Sequence, residues 1–268
     1  MKLGSLLLTP LLDGAGQEDP REVLLRPEVP GDPWDEHEEL LTDDGRLELA
    51  VGGYLIRSGD RNILVDAGVG TIDNGKYRGG QFLESLKAQG LEPGEITDVI
   101  FTHLHFDHVG WASKKGAVVF ENAAYRVHEL DWEHFVESPS AEPGAVRKLR
   151  PLESRLELFA GDATLAPGLD ARHTPGHTPG STTLIVSSEG QRAALIGDLA
   201  HTPIELVEPH WHFAFDFDSV AAAAVRADFV SEFADTDTDI LAAHFPGMQA
   251  GRLTTIDGAP RWTYNKEN

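Results

Sequence analysis

Thr102–Gly110, THLHFDHVG, sets His103, His105, Asp107 and His108 at the end of TDVIFT (97–102), an apolar run bounded by polar residues that reads as a buried strand. On extended backbone side chains alternate, so His103 and His105 point to one side and can grip one ion. The turn that follows aims Asp107 and His108 at a second point. The chain has no Cys, so a metal must be held by imidazole and carboxylate, donors that suit zinc, iron, manganese or cobalt. Left unpaired, such a cluster would be costly to bury.

Three further segments supply donors at the ends of apolar runs or in Gly/Pro-rich turns: His177 in HTPGHTPGS (173–181), Asp198 in ALIGDLAH (194–201) and His244 in ILAAHFPG (240–247). With Asp66 in LVDAG (64–68), the set HxHxDH, GH, GD and H resembles the metallo-β-lactamase superfamily over most of the chain, from Gly4 to about Leu253. The resemblance implies an α+β fold, an αββα sandwich of two mixed β-sheets flanked by helices. It implies two divalent metal ions, zinc first among them: one held by His103, His105 and His177, the other by Asp107, His108 and His244, with Asp198 bridging. Asp66 would orient a ligand histidine. Two ions about 3.5 Å apart would hold a bridging hydroxide for attack on a lactone or ester carbonyl, and Asp107 would pass a proton to the leaving group.

Departures from individual subfamilies narrow the choice. Asp198 together with the absence of Cys argues against true metallo-β-lactamases. Only 24 residues follow His244, which argues against a glyoxalase II-like thioesterase, and a net charge of −22 opposes the basic surface that ribonuclease Z relatives need. A redox diiron reading would call for a flavodoxin partner, and a noncatalytic metal-binding relative would be expected to have lost ligands. Quorum-quenching lactonases and methyl-parathion-type organophosphate hydrolases remain, sharing HLHFDH, TPGHTPG and the FDxD segment Phe215-Asp216-Phe217-Asp218. Lactone and organophosphate or aryl-ester substrates stay open, since both use the same nucleophile and pocket type.

One position departs from the lactonases. Three residues after the bridging Asp they carry a Tyr whose hydroxyl contacts the lactone, and here His201 stands there. His201 can still donate a hydrogen bond to a substrate oxygen; the rival reading is a packed loop residue. Phe106, Trp111, Trp211, Phe213 and Phe215 cluster near the motifs and read as an apolar pocket wall. His173 reads as a packed, hydrogen-bonded structural residue, while His128 and His134 fall on a helical segment as ordinary histidines.

The rest of the chain sets bounds. At 268 residues and 41% apolar, the chain reads as one domain over 1–268. No stretch approaches the ~20 apolar residues of a membrane span. MKLGSLLLTPLL (1–12) reads as a first strand ending in a turn at Asp13-Gly14 and lacks a signal-peptide pattern, which leaves the cytoplasm as the expected location. The charge disfavours nucleic acid and anionic membranes and leaves a small molecule as the expected partner. Residues 17–46, acidic, Pro-rich and bearing Trp34, read as a flap or an interface loop. A homodimer is expected from the resemblance. Helices are expected over 80–89, 129–136, 143–155 and 219–233, with hairpins over 47–68, 181–196 and 252–264.

Overall fold

The alternation of apolar side chains along five short strands decides the layering. In Arg61–Val65, Leu64 packs on one side with Phe82, Leu86 and Trp132. Ile63 and Val65 pack on the other with Leu184, Val186 and Leu195. In Thr182–Ser188, Gln191–Leu195 and Asp239–Leu241 the same period of two sends Ile185, Ala194 and Ile240 to a third layer with Phe229 and Phe233. Asp98–Ile100 behaves likewise, with Val99 in the first layer and Ile100 in the second. Two sheets therefore bury one face against each other and the other against helices, the αββα sandwich of the sequence analysis. This computed structural model describes residues 1–266, so the last two residues of the 1–268 span lie outside the described residues.

The first sheet runs Lys2–Leu3, Leu6–Glu18, Leu47–Ser58, Arg61–Val65, Asp98–Ile100, Ala124–His128, Leu156–Phe159, with Tyr77–Arg78 paired to Leu6–Glu18. The second runs Ala163–Ala166, Leu169–His173, Thr182–Ser188, Gln191–Leu195, Asp239–Leu241, Gly251–Ile256, Ala259–Tyr264. Both are mixed, Asp98–Ile100 and Asp239–Leu241 lying parallel to a neighbour. These two parallel strands end where the motif loops begin, at Phe101 and Ala242, which puts His103 and His244 on one edge of the sandwich.

Several local expectations change. The first long strand does not turn at Asp13-Gly14 but continues to Glu18 through a bulge between Leu12 and Gly14. The bulge aims the Asp13 carboxylate inward, where it accepts from Val69 N, Gly70 N and Trp111 Nε1 on Oδ2 and from Gly80 N and Phe82 N on Oδ1. The helix expected over 143–155 is α-helical only for Pro143–Leu149 and then tightens to a 3₁₀ segment, Arg150–Arg155, because Pro151 cannot donate the next hydrogen bond. His128 ends the strand Ala124–His128 instead of lying on a helix, and its ring stacks on His173 at 4.1 Å. His173 Nε2 donates to Pro179 O, 2.9 Å away, the packed role expected of it.

Residues 17–46 fold onto the chain. Leu24–Leu25 pairs with His212–Phe213, and Trp34 is fully buried 5.3 Å from the Trp211 ring, in a small core with Val23, Leu47 and Ile204. Among the described residues no helix is long and apolar enough to cross a membrane.

Candidate metal centre and cavity

His103, His105, His177 and Asp198 form one group of convergent donors and Asp107, His108 and His244 another, the donor atoms of each lying within 4.8 Å of one another. Asp198 lies against both groups. Its Oδ2 is 3.1 Å from His244 Nε2, 3.3 Å from His177 Nε2 and 3.6 Å from His103 Nε2, and its Oδ1 is 3.2 Å from His108 Nε2. Asp107 Oδ2 is 3.6 Å from His244 Nε2. The sequence places these donors on four separate loops, and the sandwich edge brings them together.

The outward-facing nitrogens settle how the rings present themselves. His177 Nδ1 meets Asp216 Oδ1 at 3.0 Å, His244 Nδ1 meets Ala50 O at 2.8 Å, and His108 Nδ1 meets Asp66 Oδ2 at 2.9 Å. Each partner can only accept, so each Nδ1 carries a proton and each Nε2 is the nitrogen turned inward, whose lone pair the neutral ring offers to an ion. Thr102 Oγ1 donates to Asp66 Oδ2, so it accepts from His103 Nδ1, with the same result. His105 Nδ1 then lies 3.1 Å from His103 Nε2 and 2.9 Å from His177 Nε2. One Nδ1 proton could serve only one of these two contacts, whereas a shared cation would take all three nitrogens. His108 Nε2 and Asp198 Oδ1, both buried, have no hydrogen-bond partner. The donor set thus fits divalent ions and poorly fits anything else.

Charge tells a consistent story. Burial, reinforced by the neighbouring imidazoles, pushes His103 and His105 well below the usual histidine range and keeps them neutral. Burial acts the same way on His108, but Asp198 and Asp66 outweigh it and raise that ring. Burial would raise the Asp198 carboxyl; His108, His244 and His103 hold it well below the carboxylate range instead.

Asp66 sits at φ +61°, a strained conformation for a residue with a Cβ, and its Oδ1 also accepts from Thr102 N. One carboxylate so ties the loop after Val65 to the start of the histidine motif. Gly110 completes the clamp, since a Cβ there would lie 1.9 Å from the Val69 carbonyl carbon. Replacing Asp66 with Ala frees the His108 ring and the Thr102 hydroxyl; metal affinity is expected to fall 10–100-fold. Competition with a chelator of known affinity measures it, and an unchanged affinity would assign Asp66 to loop packing alone.

A cavity of about 400 Å³ opens over these donors, lined by His105, Asp107, His177, Asp198, His201 and His244 together with Phe106, Phe213 and Phe215. A second, apolar cavity of about 460 Å³ shares His105 and Phe106 with it and continues to Leu104, Val109, Phe135 and Ala145. Trp111 and Trp211, expected on the pocket wall, are instead in the core. A buried indole N–H needs an acceptor. Trp111 finds it in Asp13 Oδ2 at 3.0 Å and Trp211 in Glu208 Oε2 at 3.3 Å, each turning the ring away from the cavity.

His201 is buried with its ring stacked on Phe213 at 3.5 Å and its Nε2 3.4 Å from Asp198 Oδ2. Burial favours its neutral form, but contacts with Asp198 and Glu205 outweigh this and hold its pKa up at about 10. Glu205 is fully enclosed; it accepts from His201 N and Thr202 N and pairs with Arg226 at 3.2 Å. Arg226 in turn donates to Leu199 O and Trp211 O, pinning the loop that carries Asp198 to the helix Ser219–Phe233.

Sequence reasoning named Asp66 but missed two other carboxylates behind the ligands, Asp216 and Asp131. Asp216 lies in the quoted FDxD segment, so the signal was present without a partner. Asp131, buried, accepts from Leu104 N on Oδ2 and Gly180 N on Oδ1, joining the His105 loop to the His177 loop. Nothing in its neighbourhood, HELDW (128–132), marks it out.

Comparison with known proteins agrees with this geometry. An N-acyl homoserine lactonase of Bacillus sp is 30% identical over 199 residues, 68% of this chain and 76% of the relative. Among solved structures, AidC, a dizinc quorum-quenching lactonase in complex with a product, superposes with a TM-score of 0.87 at 26% identity, covering 100% of this chain and 97% of AidC. The hydrolase AbOPH of the beta lactamase superfamily superposes at 0.86 with 25% identity, over 100% and 97%. Residues 48–244 match the profile of the Metallo-beta-lactamase superfamily, and by that match, which spans every candidate ligand from His103 to His244, the chain belongs to this superfamily.

Proposed function

We propose that the chain is a dinuclear, metal-dependent hydrolase that opens a lactone ring. The observation that carries this is the set of four imidazoles whose outer nitrogens are protonated onto fixed acceptors, leaving the inner nitrogens and two carboxylates at the floor of a cavity with aromatic walls. His103, His105 and His177 would hold one ion, Asp107, His108 and His244 the other, and Asp198 both. Two divalent ions, zinc as in AidC, supply a water of lowered pKa and polarise a carbonyl when bound. Asp107, close to His244 at the cavity floor, would take up the proton released by the attacking water and pass it to the leaving alkoxide. Phe213 and Phe215 exclude water from the ring being opened, and the apolar cavity beyond Phe106 offers room for an acyl tail.

His201 stands where its Nε2 can donate to a substrate oxygen beside Asp198. His201→Phe keeps the stacking on Phe213 and removes that donor. Turnover is expected to fall about tenfold or more while metal content stays near wild type. Unchanged kinetics would make His201 a packing residue.

The proposal is tested by elemental analysis of purified protein paired with turnover of an acyl-homoserine lactone, an aryl ester and paraoxon. About two metals per chain with the lactone cleaved fastest is the expected result. Faster paraoxon or ester cleavage would overturn the substrate, and inactive protein after metal reconstitution would overturn the centre.

A further inference from the structure

The same cavity has a polar wall that the hydrolytic step leaves unused, formed by Glu18, Asn74, Lys76 and Tyr77. Glu18, the last residue of the strand Leu6–Glu18, is buried; its Oε1 is 3.0 Å from the Tyr77 hydroxyl and its Oε2 is 2.5 Å from Lys76 Nζ. Asn74 Oδ1 accepts from both Lys76 N and Tyr77 N, shaping the turn that delivers them.

The Tyr77 ring is held on two sides. Gly16 lies beneath it so closely that a Cβ there would come within 2.4 Å of a ring carbon, and Phe106 meets it edge-on at 5.0 Å and 80°. Tyr77 lines the same cavity as Asp107, Asp198, His177 and His244, beside the proposed metal centre. Burial and these acids push its pKa up, so it keeps its proton.

A carboxylate can only accept, so the one phenolic proton goes to Glu18. What Tyr77 offers the cavity is then an oxygen lone pair. An unsubstituted lactone, an aryl ester and a phosphotriester carry no N–H to meet it; an α-acylamino lactone carries one next to the carbonyl that is attacked. We propose that Tyr77 is a specificity-determining residue whose oxygen, held as an acceptor by Glu18, receives the amide N–H of an N-acylamino lactone. This rests on the lactonase reading above.

The test compares kcat/KM for N-hexanoyl-homoserine lactone with that for γ-decalactone, which lacks the amide, in wild type, Tyr77→Phe and Glu18→Ala. Calorimetric binding of the two ring-opened products, N-hexanoyl-homoserine and 4-hydroxydecanoate, gives a readout independent of turnover. The preference for the amide-bearing ligand, in rate and in binding, is expected to drop about tenfold in Tyr77→Phe, the loss of one hydrogen bond. Glu18→Ala is expected to lower it too, by releasing the hydroxyl to donate instead. A purely structural role would scale both ligands alike, and that result, or a preference unchanged within about twofold, would overturn the assignment of Tyr77. If wild type opens neither lactone, the lactonase reading fails and the Tyr77 assignment with it; if wild type opens both and the preference does not move, only the assignment fails.

Discussion

Asp198→Ala is expected to lose hydrolysis by about 10³-fold or more, about 4 kcal/mol of transition-state stabilisation, and to purify with well under the wild-type metal content. The Asp198 carboxylate faces both donor groups. Its Oδ2 approaches His103 and His177 of one group and His244 of the other, and its Oδ1 approaches His108, so on the proposed assignment its removal would take a donor from both ions at once. The substitution also removes a buried negative charge that would offset two divalent cations. Asp198→Asn separates these effects: it keeps the shape and loses the charge. Elemental analysis and turnover on the same preparation are the check. Asp198→Ala protein that holds a full complement of metal and turns over within about threefold of wild type would rule out the bridging assignment.

The second large effect concerns stability. Asp13→Ala orphans five donors at once, in a place closed to water, and is expected to destabilise the fold by about 3 kcal/mol or more. For a chain of this size that lowers the melting temperature by about 6–12 °C. The damage also reaches the site. Val69 N and Gly70 N lie on the loop against which Gly110 packs, and Gly110 N donates to Gly68 O while Ala67 N donates to His108 O. A loosened loop therefore frees His108, and metal affinity should fall together with the melting temperature. Thermal unfolding of the apo and metal-loaded variant checks both, and a shift under about 2 °C would show that the five bonds are replaceable.

The two effects differ in how they could be seen beforehand. Asp198 sits in a recognisable spacing, GD after an apolar run. Asp13 sits in LLDGAG, which reads as a turn, because an inward carboxylate on a strand makes sense only once its donors are in place. Those donors come from residues 69, 70, 80, 82 and 111, and no local pattern joins them to Asp13.

Trp111 and Trp211 show the same limit from the other side. Proximity in sequence to a metal motif suggested the pocket wall, yet a buried indole goes where its N–H is satisfied, and Asp13 and Glu208 decided that. Phe106, Phe213 and Phe215, with no polar atom to place, were free to line the cavity.

By itself the sequence determined the donor chemistry, because ligand types and their spacing after apolar runs are local properties, and the layered fold through the family resemblance that those motifs carry. Only the tertiary structure decided which nitrogen of His108, His177 and His244 turns inward, since that follows from the acceptors Asp66, Asp216 and Ala50 O far away in the chain. It also decided that Tyr77 faces the cavity as an acceptor, since the orientation of a hydroxyl is set by the group that takes its proton, here Glu18 at the end of another strand.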